Sequence, residues 1–378
     1  MSIWFMTAAV LPDITVEAAL GPDRQALLSS AVQAGFVVGA LLISLTGLAD
    51  RLDPRRVFAA CALSAAAANA ALLVLPVGSD AAVLMRFLTG ALLAGVYPVG
   101  MKLAVGWGAA DRGLLVGTLV GALTLGKSAP YLFAYIGGAE WRWALGGVSA
   151  LAALGGLVVL MTELGPGHAR ATAFRISAIR LAWTDRRIRA AYLGYFSHMW
   201  ELFVVWASIG AAAAASYAAS MSLHDAESLG KLTAFLGIAL GAPFCVLAGY
   251  YADRLGKAEI AMTALVASGA LALVTALTFG GPVWITFVLM IAWGMAVVPD
   301  SAQFSALVAD FAPPEISGSL LTFQTALGFT VTIVTVQAVP WAVSGFGWPA
   351  VLAALALGPA AGILAMLPLR RGRAPAPV

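Results

Sequence analysis

Charged residues are scarce in this chain: Asp, Glu, Lys and Arg make up only 10% of its 378 residues. In soluble domains about a quarter of all residues are charged. The shortage excludes an ordinary soluble domain, and the 61% hydrophobic content indicates an integral membrane protein. The formal net charge of +3 is small, and the basic residues fall in alternate loops, so nothing indicates nucleic-acid binding.

Cysteine is nearly absent as well. Cys61 and Cys245 lie in different apolar runs, which supports neither a disulfide nor a zinc site. The sequence also lacks a visible nucleophile–base pair, a cluster of metal ligands and a glycine-rich phosphate loop. We therefore expect no enzyme activity, no metal and no cofactor. The first residues, MSIWFMTAAVLPD, lack the basic start of a cleavable signal peptide.

The chain instead has repeated apolar runs of about 20 residues, the length of a membrane-spanning helix. Such runs predict α-helical spans rather than a barrel. We number the predicted spans 1 to 12; they cover residues 3–20, 27–48, 57–76, 81–103, 115–136, 143–161, 190–213, 228–250, 258–279, 283–306, 319–341 and 347–368. The longest polar stretch divides them into two six-helix bundles, 1–161 and 189–378, joined by a loop at 162–188.

Span 1 is short. Only nine residues, Ile3 to Leu11, precede Pro12 and Asp13. A helix of that length covers ~14 Å, about half of the hydrocarbon core. Either the helix continues through Asp13 and Glu17, or the sequence begins inside a truncated first span, and we expect the second.

The basic residues predict the orientation, because cytoplasmic loops are enriched in Lys and Arg. If the N-terminus and the 162–188 loop are cytoplasmic, sixteen of the 21 Lys and Arg residues lie on the cytoplasmic side and three lie outside. We therefore expect a multi-pass protein of a bacterial inner membrane with both termini in the cytoplasm.

Two loops of the sequence resemble each other, GLADRLDPRR (47–56) after span 2 and GYYADRLGK (249–257) after span 8. A second pair, ADRG (110–113) and EISG (315–318), follows spans 4 and 10 at a similar offset. This repetition predicts two halves of like orientation, related by an axis along the membrane normal.

At these loops the chain resembles the major facilitator superfamily, whose signature is Gly-x-x-x-Asp-Arg/Lys-x-Gly-x-Arg/Lys-Arg/Lys. The second copy keeps the first part of the signature, at Gly249, Asp253, Arg254 and Gly256, and has Ala258 and Glu259 at the basic end. The first copy keeps Asp50, Arg51, Arg55 and Arg56 and has Thr46 and Asp53 in place of the glycines.

The resemblance covers essentially the whole chain apart from the short first span. It implies twelve transmembrane helices in two pseudo-symmetric six-helix bundles, which move a solute by alternating access, usually as a monomer. It also implies that spans 1, 4, 7, 10, 2, 5, 8 and 11 line a central cavity.

We expect the two loops to act as a conformational latch on the cytoplasmic side. An Asp at a helix end can face the N-terminus of a neighbouring helix, or pair with the arginines of its own loop. The alternative is that the loops only anchor the topology. The predicted latch residues are Asp50, Arg51, Arg55, Arg56, Asp253 and Arg254, with Asp50, Arg55 and Arg56 as the stronger cluster.

Ionisable residues inside a membrane cost roughly 2.5–3.5 kcal/mol or more each and usually face a cavity. Five lie within predicted spans: Arg86, Lys127, His198, Glu201 and Asp300. All five belong to spans that the resemblance places around the cavity. The first half contributes two cations, and the second half contributes groups that are titratable and mostly acidic.

Lys127 is the main candidate for substrate binding, because a buried ammonium can anchor an anion. Thr124 and Tyr131 share its helical face. Lys127 can alternatively form a structural pair with Glu201 or Asp300 of the other half.

Three further residues complete the predicted substrate contacts. Arg86 matches the family's Arg-x-x-x-Gly pattern in the fourth span, with Gly90 as its glycine, and we expect it near the outer face, where it can snorkel. Gln303 and Gln324, in spans 10 and 11, can hydrogen-bond a substrate.

For proton coupling we predict His198 and Glu201, three residues apart in span 7, together with Asp300.

These charges predict a proton-coupled symporter of a small organic or inorganic anion, with the bilayer, a proton and one small molecule as partners. The first alternative is a proton-driven exporter of lipophilic or cationic compounds. Span 5 keeps Gly117 and Gly126 of an antiporter motif but lacks its Gly-Pro and Gly-Gly. The second alternative is a membrane sensor or assembly factor that keeps the fold without transport.

Overall fold

The structure is a computed structural model that describes residues 1–46, 48, 52–107, 112–137, 140–166 and 177–370. Within these ranges the secondary structure is helical throughout, without a strand. The helices of spans 1 to 6 are Met6–Ala18, Pro22–Thr46, Pro54–Ala70, Asp80–Leu93 with Tyr97–Val105 for span 4, Arg112–Ile136 and Trp141–Val158. Short 3₁₀ turns, Ala71–Leu73 and Val159–Met161, extend spans 3 and 6.

The second half repeats this arrangement. Its helices, for spans 7 to 12, are Arg186–Tyr217, Leu223–Ala239 with Gly241–Leu255 for span 8, Lys257–Leu277, Val283–Ala296 with Ser301–Phe311 for span 10, Pro314–Leu355 and Leu357–Met366. A short helix, Ser177–Thr184, lies in the linker between the halves. Span 7 therefore begins slightly before the predicted boundary at 189.

Among the described residues, ten helical stretches are long and apolar enough to cross a membrane. The last of them, Ile316–Leu369, holds both spans 11 and 12, which are separated at Gly347. Its φ of 77° is a conformation that glycine adopts without strain. With the 13-residue helix of span 1, the described chain contains the twelve predicted spans. The predicted fold class, an all-α integral membrane protein, is confirmed.

Span 1 differs from its expected course. Pro12 and Asp13 do not end the helix, which continues to Ala18 and closes at Ala19 in the left-handed conformation, with a φ of 48°. The residues that precede the helix are packed inside the bundle, since Ile3, Trp4 and Phe5 are at most 2% exposed. The continued helix carries the carboxylate of Asp13 into the protein interior instead of leaving it in a loop.

The halves meet mainly where span 2 packs on span 11 and span 5 packs on span 8. Within the first half, spans 2 and 4 approach backbone to backbone. A Cβ added at Gly90 would lie 1.9 Å from the carbonyl oxygen of Val32, so only glycine fits there. The glycine of the Arg-x-x-x-Gly pattern thus serves helix packing, and it fixes the height of Arg86 one turn earlier.

Candidate functional site

Lys127 lies near the middle of span 5, between the two halves, and is 4% exposed. Four aromatic rings surround its ammonium group, and we call them the aromatic cage. The distances from Nζ to the ring centroids are 4.3 Å for Trp206, 4.7 Å for Phe203, 5.1 Å for Trp4 and 5.9 Å for Phe5. The cage draws on both halves. Trp4 and Phe5 directly precede the helix of span 1 in the first half, and the other two rings belong to span 7 in the second half.

The ammonium of Lys127 has no ion pair with an acidic side chain in the described part of the chain. The two acids considered from the sequence have other partners: Asp300 lies beside His198, and Glu201 accepts hydrogen bonds from Trp293 and Ser268. A cation–π contact contributes about 0.5–2 kcal/mol, whereas an unpaired buried ion costs several kcal/mol. The four rings together can offset much of this cost, but they carry no net negative charge, so an anion at this position would add a counter-ion that the described residues do not supply.

The aromatic cage continues into the interface between spans 2 and 11. Phe36 and Phe329 stack at 4.5 Å, and Phe329 lies 5.3 Å from Trp4 and 5.2 Å from Phe203. Rings from both halves thus fill the centre of the protein. A conformational change that separates the halves must part these rings, and parting them exposes Lys127.

Two predicted substrate contacts, Tyr131 and Thr124, donate hydrogen bonds to backbone carbonyls of the protein. The Tyr131 hydroxyl donates to the backbone carbonyl of Trp206, which joins span 5 to span 7 across the interface. The Thr124 hydroxyl donates to the carbonyl of Val120 in its own helix at 2.8 Å. Both side chains are buried, and of the two it is Tyr131 that fixes a cage residue.

Arg86 lies in the interior of the first half. Its guanidinium donates to the carbonyl oxygens of Ile3 at 2.9 Å and Trp4 at 2.5 Å, and to Asn69 Oδ1 at 2.9 Å. The side chain is fully buried, which corrects the expectation that it snorkels to the outer face. Since its partners include the backbone of Trp4, Arg86 holds a cage residue in place, and we interpret it as a positioning residue.

His198 and Asp300 form the polar centre of the second half. Asp300 occupies the break in span 10, after Pro299 and before the helix Ser301–Phe311. Its Oδ1 lies 2.9 Å from Nδ1 of His198, and both side chains are about 1–2% exposed. The sequence paired His198 with Glu201; the structure places it beside Asp300.

Glu201 is buried on a different side of span 7. Trp293 Nε1 donates to its Oε1 at 2.7 Å, and the Ser268 hydroxyl donates to its Oε2 at 2.9 Å. These partners belong to spans 10 and 9. Both hydrogen-bond partners of Glu201 therefore belong to the second half.

The two predicted glutamines are both buried, Gln303 at 3% and Gln324 at 0% exposure. Neither polar atom of the Gln324 amide has a hydrogen-bond partner in the described residues. An orphaned amide of this kind is rare in folded proteins.

The sequence did not single out the polar contacts that close one end of the interface. Residues 162–188 join the two halves at one end of the helix bundle, which we call the linker end. We call the other end of the bundle the opposite end. Near the opposite end, Lys231 Nζ of span 8 lies 2.8 Å from Asp13 Oδ2 of span 1, with the side chains 10% and 11% exposed. Ser30 donates to Gln337 Oε1 at 2.7 Å between spans 2 and 11.

The sequence does not predict this pair, because Asp13 follows a helix-breaking proline and Lys231 is one of the three basic residues on the external side. The sequence does contain one indication of the pair. Asp13 and Lys231 are opposite charges near the same end of two lining spans, one from each half. Beneath the pair lies a cavity of about 20 Å³, with Ala9 and Tyr131 in its wall. Such a volume holds about one water molecule.

The latch residues are described only in part. Asp50 and Arg51 lie outside the described residues, as does the side chain of Asp253. Arg56 is exposed, and the Arg254 guanidinium lies 4.1 Å from the ring of Tyr250.

Among the described residues Arg55 has two partners, while its expected contact with Asp50 lies outside them. It donates to both carboxylate oxygens of Asp53, at 3.1 and 2.8 Å, and to the Thr162 carbonyl at 2.9 Å. The hydrogen bonds from Arg55 lower the pKa of Asp53 to about 2. Asp53 also caps the helix Pro54–Ala70 by accepting from the Arg55 backbone N–H. This pair thus belongs to the start of span 3 and its contact with the end of span 6.

A larger cavity, of about 330 Å³, opens at the opposite end of the first half. Spans 1, 3 and 6 line it, with Glu17 and Arg142 at its polar side. None of the predicted site residues lies in its wall.

The family model described as Major Facilitator Superfamily matches residues 1–335. No curated protein matches the sequence. The crystal structure of a D-xylose–proton symporter aligns with a TM-score of 0.70 at 14% identity, over 98% of this chain and 95% of the other. A partially occluded inward-open structure of the xylose transporter XylE from E. coli gives 0.71 at 13% identity, over 97% and 94%. At such identities the likeness is one of fold.

Proposed function

Since this chain belongs to the Major Facilitator Superfamily, we propose that it is a secondary transporter that moves a small organic anion together with protons by alternating access. The observation that carries the proposal is the ammonium of Lys127, buried between the halves with aromatic rings around it and without a carboxylate partner among the described residues. A substrate carboxylate supplies the missing negative charge, and the cage rings accommodate an apolar body. This chemistry favours an organic anion over an inorganic one.

Protons bind in the second half. His198, Asp300 and Glu201 are buried titratable groups without a basic Lys or Arg partner among the described residues. An added proton removes the cost of a buried negative charge there, as the substrate anion offsets the buried charge of Lys127. Loading both halves therefore leaves a nearly neutral interface, which can close and reopen at the other end.

The halves, residues 1–161 and 189–378, move about this interface as two bodies, with 162–188 as the linker. We place the linker end and the C-terminus in the cytoplasm of a bacterial cell and the opposite end outside, following the distribution of basic residues. The N-terminal residues lie inside the bundle. The closed pair of Asp13 and Lys231 then lies on the external side. The protein works as a monomer, because each chain contains both halves of the site.

Uptake into proteoliposomes with an imposed proton gradient tests the proposal. A panel of aromatic and aliphatic carboxylates is offered to the wild type, to Lys127→Met and to Lys127→Arg. We expect gradient-driven uptake that Lys127→Met abolishes and Lys127→Arg partly retains, because arginine keeps the charge. Lys257→Met is the matched control: this lysine pairs with Asp310 at the linker end, and surface pairs contribute little.

Two results would replace this assignment. If lipophilic cations move and carboxylates do not, the aromatic rings serve a cation exporter. If no solute moves in either direction while the protein stays folded, a sensor or assembly role takes its place.

A further inference from the structure

Of the eight buried polar atoms in the second half that lack a hydrogen-bond partner among the described residues, five belong to only three side chains. They are Nδ1 and Nε2 of His198, Oδ1 of Asp300, and Nε2 and Oε1 of Gln324. His198 Nδ1 and Asp300 Oδ1 are 2.9 Å apart, but the ring N–H is not directed at the oxygen. Buried polar groups are nearly always paired, so this concentration of orphans indicates a place where a polar ligand is missing.

The contacts between spans 7 and 11 place Gln324 next to the other two residues. The Tyr192 hydroxyl donates to the Leu320 carbonyl. Two turns further along span 11, a Cβ added at Gly328 would lie 2.2 Å from Cε1 of Tyr195. Gln324 lies midway between Leu320 and Gly328 on the same helical face, so it faces span 7 at the level of these tyrosines.

Tyr195 connects this level to the polar centre. Its ring lies 6.3 Å from the imidazole of His198 between centroids, and His198 lies beside Asp300. The three orphan-bearing side chains therefore lie at one level of the second half, on the neighbouring spans 7, 10 and 11.

This region lies at a defined height below Lys127. In span 7, His198 precedes the cage residue Phe203 by five residues, and in span 11, Gln324 precedes the cage-packing residue Phe329 by five. Five helical residues rise about 7.5 Å. Both helices run from the linker end towards the opposite end, so the polar atoms lie about 7–8 Å closer to the linker end than the cage.

We infer that His198, Asp300 and Gln324 form a second subsite, which binds a hydroxyl group of the substrate. A hydroxyl donates one hydrogen bond and accepts others, and the three side chains offer both donors and acceptors. The substrate class is then a small organic anion that carries a hydroxyl group at the end remote from its charge. This inference rests on the proposed function for the charged end only.

Equilibrium binding to the purified full-length protein tests the subsite. Binding is monitored by intrinsic tryptophan fluorescence. The ligands are phenylacetate, para-hydroxyphenylacetate and the neutral alcohol analogue of the latter. We expect the wild type to bind para-hydroxyphenylacetate about tenfold more tightly than phenylacetate, the value of one good hydrogen bond. Gln324→Leu and Gln324→Asn should lose this preference and leave the affinity for phenylacetate unchanged.

Thr332→Val is the matched control in the same span, because its buried hydroxyl is already bonded to the Phe329 carbonyl. It should keep the preference. In the ligand-free protein, Gln324→Leu should leave the melting temperature unchanged or raise it, since it removes an orphaned amide. A loss of melting temperature would show a structural role for Gln324 and overturn the inference.

The ligand set separates the two proposals. If the neutral alcohol binds as tightly as the anion and depends on Gln324, the subsite stands and the anion site falls. If the anions bind through Lys127 but the hydroxyl makes no difference in the wild type, the anion site stands and the subsite is refuted. If none of the three ligands binds saturably, both are refuted.

Discussion

Removing the charge of Lys231 should open the opposite end of the transporter. Lys231→Met leaves the Asp13 carboxylate buried and unpaired in the closed state, because the pair is only 10–11% exposed and 2.8 Å apart. Breaking a buried pair by removing one partner costs about 3–5 kcal/mol. When the end opens, water hydrates Asp13 and the cost disappears. A difference of about 3 kcal/mol shifts the closed–open equilibrium by about 100-fold.

The shift can be measured by labelling a cysteine beneath the pair. Ala9 is 3% exposed and lines the small cavity there, so Ala9→Cys, with Cys61 and Cys245 replaced by alanine, reports access from the opposite end. A membrane-impermeant maleimide should react much faster in Lys231→Met.

The reversed pair, Asp13→Lys with Lys231→Asp, should return the labelling rate towards that of the parent. Arg142→Met is the control, since it breaks the exposed pair of Arg142 and Glu17 at the same end but within the first half. An unchanged labelling rate in Lys231→Met would refute the role of the pair in closure.

Three further predictions follow from individual contacts. Arg86→Lys should lower the melting temperature and weaken anion binding together, because two nitrogens of the guanidinium serve the three acceptors, whereas the shorter lysine carries all its donors on one nitrogen; a variant with full stability and binding would contradict its positioning role. Glu201→Gln should keep the melting temperature, since its amide oxygen can still accept from Trp293, but lose gradient-driven uptake while counterflow persists; intact gradient-driven uptake would exclude Glu201 from coupling. Asp53→Asn should lower the melting temperature by a constant amount from pH 8 to pH 5. The pKa of Asp53 is lowered from 3.8 to about 2, so its stabilising contribution is complete above its unfolded value and is lost only as the pH falls towards 2. A difference that already shrinks between pH 7 and pH 5 would contradict this assignment.

The spans could be predicted from the sequence because a run of about 20 apolar residues has one stable solution in a membrane. Even the breaks at Pro299 and Gly347 fall where helix-breaking residues stand. The course of span 1 could not be predicted, because whether a helix passes Pro12 and Asp13 depends on what those residues meet. Asp13 meets Lys231, which lies more than two hundred residues away in the sequence.

The site residues were found as a set, but their pairing was not predicted. Residues three apart on a helix differ by about 60° in direction, which is enough to turn Glu201 towards Trp293 and His198 towards Asp300. The sequence shows that these groups share a helix, and only the packing of neighbouring helices decides their partners.

The cage around Lys127 depends even more on tertiary structure. Trp4, Phe203 and Trp206 are three aromatic residues among many in an apolar chain, and nothing in their spacing sets them apart. Their position around one ammonium follows from the packing of span 5 between the N-terminal segment and span 7.

The most direct test of the account is the dissociation constant of para-hydroxyphenylacetate for the wild type and for Lys127→Met, with the neutral alcohol analogue measured beside it. The account predicts that the anion binds at least about tenfold more weakly to Lys127→Met, the loss of one charge-assisted contact, while the affinity for the neutral analogue is unchanged. Equal affinity of both proteins for the anion would contradict the assignment of Lys127 as the centre of the substrate site.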